Sequence, residues 1–275
     1  MTPGQLAAMA ASPQRSDRRP TTRDDVRLRK RRRAVMESLA APGLGVALLL
    51  TWQVSVTVLN VSEFVLPTPV AVIGRIITDF PLLLKHTWVT ATEVVVGFGA
   101  AAILGIAIAL SVFYSRLFER AVYPLLIAMQ TIPKVALAPL VVLYLGYDWG
   151  PKFFLSFLIA FFPVVVATVV GLKSLDQGFV NLARSMGATE AQLFLKIRLP
   201  AALPSMFGGF KVALSLAVIG AVIGEYIAAE RGLGYLQLQA NASFDTTLNF
   251  AAVVMIAALG LGLYAVVVFA EKRFG

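Results

Sequence analysis

Four polar side chains of interest sit inside stretches of sequence that are mostly apolar. Gln130, Thr131 and Lys134 lie between Tyr123 and Tyr147, and Glu225 lies near the end of the run from Met206 to Ala228. A charge at membrane depth is costly to desolvate, so it points to a function and usually faces a bundle interior or a wet cavity. Pro133 and Pro139 bracket Lys134 and free backbone carbonyls that can line a path, with Gln130 and Thr131 as further donors. A cation there suits an anionic or polar solute; it also suits a lysine paired with a neighbouring helix. Glu225, beside Tyr226, reads as a gate or as an interfacial carboxylate, and Glu93 as a headgroup-level charge opening an apolar run. Bond-making chemistry finds no residues to work with. There is no cysteine for a disulfide, a thiolate metal site or a thiol nucleophile. The lone His86 cannot form a paired-histidine zinc site, and neither a GxSxG elbow nor a Gly-Lys-Ser/Thr phosphate loop occurs. No catalytic residue, cofactor or metal site is therefore expected, and ATP, if used, must be handled elsewhere.

The elements around these residues are membrane helices. With 58% hydrophobic and 14% charged residues and a mean hydropathy of +0.80, the chain is too apolar for an ordinary soluble domain. A spanning helix needs about 20 apolar residues, at about 1.5 Å each across a core of about 30 Å. No charge falls between Glu37 and Glu63, Glu93 and Arg116, Lys152 and Lys173, or Asp245 and Glu271. Tyr123–Tyr147, interrupted by Lys134, and Met206–Ala228, with Lys211 near its start, complete an all-α, polytopic fold of about six spans. Pro67 and Pro69 break the chain after the first span, and residues 70–84 read as an amphipathic helix on the outer surface.

Charge sets the expected orientation. The net +9 is mostly a tail: residues 1–33 hold ten Lys/Arg against three Asp, so residues 1–35 read as a disordered basic tail beside anionic lipid rather than a nucleic-acid arm. Placing both termini in the cytoplasm also puts Arg116, Arg120, Lys173, Arg184, Lys196, Arg198, Lys272 and Arg273 there, against Arg75, Lys85, Lys152 and Arg231 outside. Residues 36–275 then form one transmembrane domain, whose first apolar run is an uncleaved span rather than a signal peptide.

The cytoplasmic segment 173–204 is longer than a connection requires. Asp176 or Ser174 can cap a first short helix through Met186, Gly187 supplies a break, and Thr189 can cap a second helix that Pro200 ends near Leu199. Leu193, Phe194 and Ile197 form an apolar stripe on that second helix, opposite Glu190, Lys196 and Arg198, suited to a groove on another protein.

Asn181-Leu182-Ala183, Gly187, Ile197 and Leu199-Pro200 stand at the spacing of a motif that reads EAA, three residues, Gly, nine residues, Ile, one residue, Leu-Pro, with Asn181 and Leu182 departing from it. Leu66-Pro67-Thr68-Pro69, the stretch Thr131–Leu140 and Gly232-Leu233-Gly234-Tyr235 carry the likeness further, over roughly residues 40–275. On these motifs the chain resembles the inner-membrane permeases of binding-protein-dependent ABC importers, in the branch handling sulfonates, nitrate, taurine and thiamine precursors. The resemblance implies a type I importer permease fold in a bacterial inner membrane. It implies two ATP-binding cassette subunits, a second permease copy in a homodimer, and an extracytoplasmic substrate-binding protein. It also implies that Ala183, Gly187, Ala188, Glu190, Leu193, Phe194, Ile197, Leu199 and Pro200 couple the chain to the ATPase. An ion-gradient carrier is the alternative; it would be expected to show more intramembrane carboxylates and has no need of the long loop.

Overall fold

A computed structural model describes residues 42–274, so the basic tail expected over residues 1–35 lies outside the described residues. The chain divides into two units, residues 1–55 and 56–275. Across the first boundary runs one apolar helix, α1 (Pro42–Val58), where the first span was expected.

In the second unit the described residues form helices and no strand. They are α2 (Pro69–Thr78), α3 (Phe80–Tyr114), the pair α4 (Phe118–Gln130) and α5 (Lys134–Leu145), α6 (Trp149–Lys173), α7 (Gln177–Ser185), α8 (Glu190–Ala228), α9 (Leu233–Ala242) and α10 (Thr246–Phe274). Helices α3, α6, α8 and α10 are each long and apolar enough to cross a bilayer, and the α4–α5 pair gives a fifth crossing if counted as one broken span. With α1 these are the six expected apolar segments.

The core is the seam between α3, α6 and α8, where small residues let backbones approach, as in membrane helix packing generally. Ala101, Ala160, Ala213, Ala217 and Ala221 are buried there with Val94, Val164 and Leu214, and Phe98, Phe157 and Phe210 fill around them. A Cβ on Gly220 would come 2.7 Å from the Leu155 carbonyl oxygen, so only glycine permits that approach of α8 to α6. A second core joins Val72 of α2 and Leu83 of α3 to Leu233, Leu236 and Ala240 of α9 and to Ala251 and Ala252 of α10.

Three local expectations are corrected. The single helix expected over 70–84 is two: Pro81 has no N–H to extend the ladder of α2 but is well suited to the first turn of α3, and Asp79 closes α2 with an ion pair to Arg75 at 2.7 Å. Pro200 does not end the second loop helix. Phe194–Arg198 widens into a π-helical turn that makes room for the proline ring, and α8 runs on unbroken for 39 residues. Finally, α3 begins thirteen residues before Glu93, so that carboxylate does not open the helix but lies well inside it, fully buried.

Candidate functional site

The loop between α6 and α8 folds as an elbow whose geometry follows from local capping. Asp176 accepts the Gly178 N–H at 2.5 Å and starts α7. At its other end Gly187 N–H donates to the Arg184 carbonyl (2.9 Å) and Ala188 N–H to the Ala183 carbonyl (3.1 Å), the paired closure that needs a left-handed residue; Gly187 supplies it at φ +81°. Thr189 and Gln192 then form a reciprocal cap on α8, at 3.2 and 3.0 Å. Arg184 clamps the two arms by bonding Glu190 through both Nε (2.9 Å) and Nη2 (2.8 Å).

The apolar stripe expected to seat in a partner is turned inward. Leu193 is 1% exposed and packs with Val180 and Ala183, flanked by Ala188 and Ile197. Phe194 and Leu199 pack on Leu172, Ala202 and Met206 at the foot of the core. The apolar surface the elbow presents outward is instead Phe179, Leu182 and Met186 of α7 and its cap, at 65, 59 and 78% exposed, with Leu195 of α8 at 61%. Glu190, Gly187 and Pro200 are also exposed.

At the break between α4 and α5 the axis turns by 87°. Pro133 leaves the helical region at ψ 93°, and the Lys134 ammonium donates back to the Gln130 carbonyl at 3.3 Å while resting 4.6 Å above the Phe162 ring. Gln130 and Thr131 are exposed on this corner, and Thr131 Oγ1 donates to the Ala128 carbonyl at 2.7 Å. Lys134 is therefore partnered by its own span and by α6, as the neighbour-pairing reading allowed.

Glu225 is fully buried. It lies in a polar knot that caps α9 from outside. The first N–H groups of a helix have no partner within the helix. Here Gly234 N–H donates to Glu225 Oε2 at 2.5 Å, Leu233 N–H to Thr90 Oγ1 at 2.9 Å, and Gly232 N–H faces His86 Nδ1 at 3.0 Å. Thr90 in turn donates to Glu225 Oε1 at 2.6 Å. His86, Thr90 and Glu93 fall at i, i+4 and i+7, one face of α3, a spacing that was open to detection in the sequence. Glu93 lies beside Glu225, with the ammonium of Lys152 at 4.0 Å.

Comparisons with known proteins agree with this architecture. The family described as binding-protein-dependent transport system inner membrane component matches residues 101–275. The formylaminopyrimidine transport permease ThiX of Halalkalibacterium halodurans is 38% identical over 215 residues, covering 78% of this chain and 86% of the relative. The riboflavin transport permease RibX of Chloroflexus aurantiacus is 36% identical over 255 residues, 92% and 95%. The putative aliphatic sulfonates permease SsuC of Escherichia coli is 32% identical over 219 residues, 79% and 83%. Among solved structures, a chain from inward-facing forms of the MetNI methionine ABC transporter superposes with a TM-score of 0.59 at 20% identity, covering 71% of this chain and 95% of that one, a likeness of fold.

Proposed function

The chain belongs to the family of binding-protein-dependent transport system inner membrane components, the multi-pass permeases of ABC importers, and on that premise we propose that its elbow is the lever on which separate ATP-hydrolysing subunits act. One observation carries the reading: the second arm of the elbow is the beginning of α8, so a push at Glu190 is delivered along one helix of 39 residues, about 58 Å, into the core. A floppy loop would dissipate that displacement. Here the Arg184–Glu190 clamp, the closure at Gly187 and the packing of Ala183, Ala188, Leu193 and Ile197 hold the two arms as one piece. Phe194, Leu199 and Pro200 join that piece to the membrane core.

In this proposal Phe179, Leu182 and Met186 meet the ATPase, with Glu190 at the rim. Two such ATPases require two permeases, and a homodimer meets the need with one gene product. Both termini are cytoplasmic, following the bias of Lys and Arg. The expected path runs past Gln130, Thr131 and Lys134, with solute delivered by an external binding protein. Relatives named for an aminopyrimidine, for riboflavin and for sulfonates bracket the solute class, and the two most similar of these favour a nitrogen heterocycle over a sulfonate. A carrier driven by an ion gradient is disfavoured because the buried carboxylates here cap a helix or line one end of the bundle.

The test is biochemical. Purified from a membrane, the chain co-isolates with an ATPase subunit and moves no solute without it; uptake by the chain alone overturns the proposal. Sidedness is read separately. In this cysteine-free chain Ser185→Cys, at the exposed end of α7, reacts with an impermeant maleimide in inside-out vesicles and not in intact cells.

A further inference from the structure

Where α3 ends, a cavity of about 280 Å³ separates it from the elbow. Phe113 and Tyr114 wall it on the α3 side, Arg184 on α7, and Glu190, Phe194 and Arg198 on α8. The two arginines differ. Arg184 is engaged by Glu190, at 2.9 and 2.8 Å. Arg198 is half-buried with its guanidinium 4.8 Å from the centre of the Phe113 ring, and among the described residues it has neither an ion pair nor a hydrogen bond. A ring face holds the plane of a guanidinium and leaves the N–H fork at its edge open. That fork matches the oxygens of a phosphate two at a time.

The position of the cavity selects the source of the phosphate. After Glu93 no charge occurs in α3, and the next is the exposed Arg116, two residues past its end, so the cavity opens where apolar helix gives way to charged chain. Tyr114 is 63% exposed there, and tyrosine gathers at membrane interfaces. Ala107 and Ile103 are exposed on the same face of α3, about two and three turns back, an apolar track leading from the cavity into the bilayer. The elbow turns its other side to a protein partner: Arg184 lies about 200° round α7 from Leu182, so the cavity faces away from the surface of Phe179, Leu182 and Met186. Basic pockets between helices on the cytoplasmic side of a membrane suit anionic headgroups.

We propose that this cavity holds the phosphate of an anionic phospholipid of the inner leaflet. Arg198 bonds both free phosphate oxygens, Tyr114 borders the headgroup, and one acyl chain lies along Ala107 and Ile103. The lipid thereby ties the first turns of α8, the arm that the ATPases act on, to the end of α3. The proposal rests on the permease reading for its sidedness and on Arg198 for its chemistry.

The test uses the full chain with its ATPase subunits in nanodiscs of phosphatidylcholine and phosphatidylglycerol, with the acyl chains of each lipid brominated in turn. Tyr114→Trp puts a fluorescent probe at the exposed edge of the cavity, and the parent protein, with its own three tryptophans, supplies the background. Phosphatidylglycerol quenches the probe at about one-fifth of the mole fraction that phosphatidylcholine needs, the preference expected of one basic residue. Adding Arg198→Gln brings the two lipids within about twofold of each other. Equal quenching by both lipids with Arg198 in place overturns the proposal, a comparison that holds even where Arg198→Gln fails to assemble. Displacement of phosphatidylglycerol by millimolar inorganic phosphate would identify a site for a free anion and overturns it too. Loss of ATPase subunits from Arg198→Gln in either lipid alike would assign the cavity to an acidic side chain of that partner, with the same result. ATP-driven uptake without any lipid preference sinks this site and spares the permease role; a preserved preference in a chain that recruits no ATPase does the reverse.

Discussion

At Gly232 the backbone is held at φ +116°, and a Cβ built there would collide with the carboxyl of Glu225. The two facts have one cause. Bringing the start of α9 close enough for Gly234 to reach Glu225 and for Leu233 to reach Thr90 requires a turn that L side chains resist and that leaves no room for one. Gly232→Ala therefore incurs a left-handed penalty of about 1–2 kcal/mol. It also displaces the cap, worth about 1 kcal/mol more. The expected outcome is a clearly lowered Tm for the purified protein. Gly74→Ala is the control: Gly74 lies mid-helix in α2 with nothing within 4 Å of its would-be Cβ, so alanine there is neutral or slightly stabilising. Equal destabilisation by both would show that the turn at Gly232 is not strained. The role of Glu225 was hidden from the sequence because its partners lie 135 residues away at Thr90 and across a turn at Gly234.

The elbow separates residues that hold it together from residues free to touch a partner. Leu193 belongs to the first group: truncation to alanine opens a cavity between α7 and α8 and costs about 2–5 kcal/mol. A charge at Leu193 would accordingly unfold the elbow, and lost transport in such a variant would report on folding before docking. Met186, 78% exposed, belongs to the second group. Met186→Glu should leave Tm and membrane yield unchanged while reducing co-isolation of the ATPase. Recovery of a full complement of ATPase with Met186→Glu would place the contact elsewhere on the loop. Much of this element was legible, because Asp176, Gly187 and Thr189 act on backbone groups within a few residues of themselves. What misled was the stripe Leu193, Phe194 and Ile197: periodicity identifies an apolar face without saying whether it meets another chain or its own sister helix. Pro200 misled for a related reason, since a π-turn upstream can absorb a proline that would otherwise stop the helix. The break at Pro133 was half legible, its freed carbonyl expected and the return of Lys134 to fill it not.

Across the second unit, α6 and α8 are locked by contacts that permit no sliding. Gly220 lies against the Leu155 carbonyl, Gly224 against the Lys152 backbone, and Ser205 Oγ donates to the Ala167 carbonyl at 3.0 Å. Small residues are interdigitated with backbone at three levels, so a shift along either helix would drive backbone into backbone. The pair should therefore move as one body, and change must fall at its softer boundaries. The bent pair α4–α5 is such a boundary, joined at a proline break and largely exposed along Leu140, Leu143 and Tyr144. The same rigid pair carries the elbow at one end and Glu225 and Lys152 at the other, so a displacement received at Glu190 reaches the polar knot without relay through a flexible joint. In the cysteine-free chain, spin labels at the exposed Val170 and Val212 report the distance within the locked pair, and labels at Val212 and Tyr144 the distance from it to the bent pair. Between nucleotide-free and ATP-bound complexes the Val170–Val212 distance stays constant while the Val212–Tyr144 distance changes. A change in the first distance would mean that α6 and α8 shear past each other, and a lever built on their rigidity could not then work.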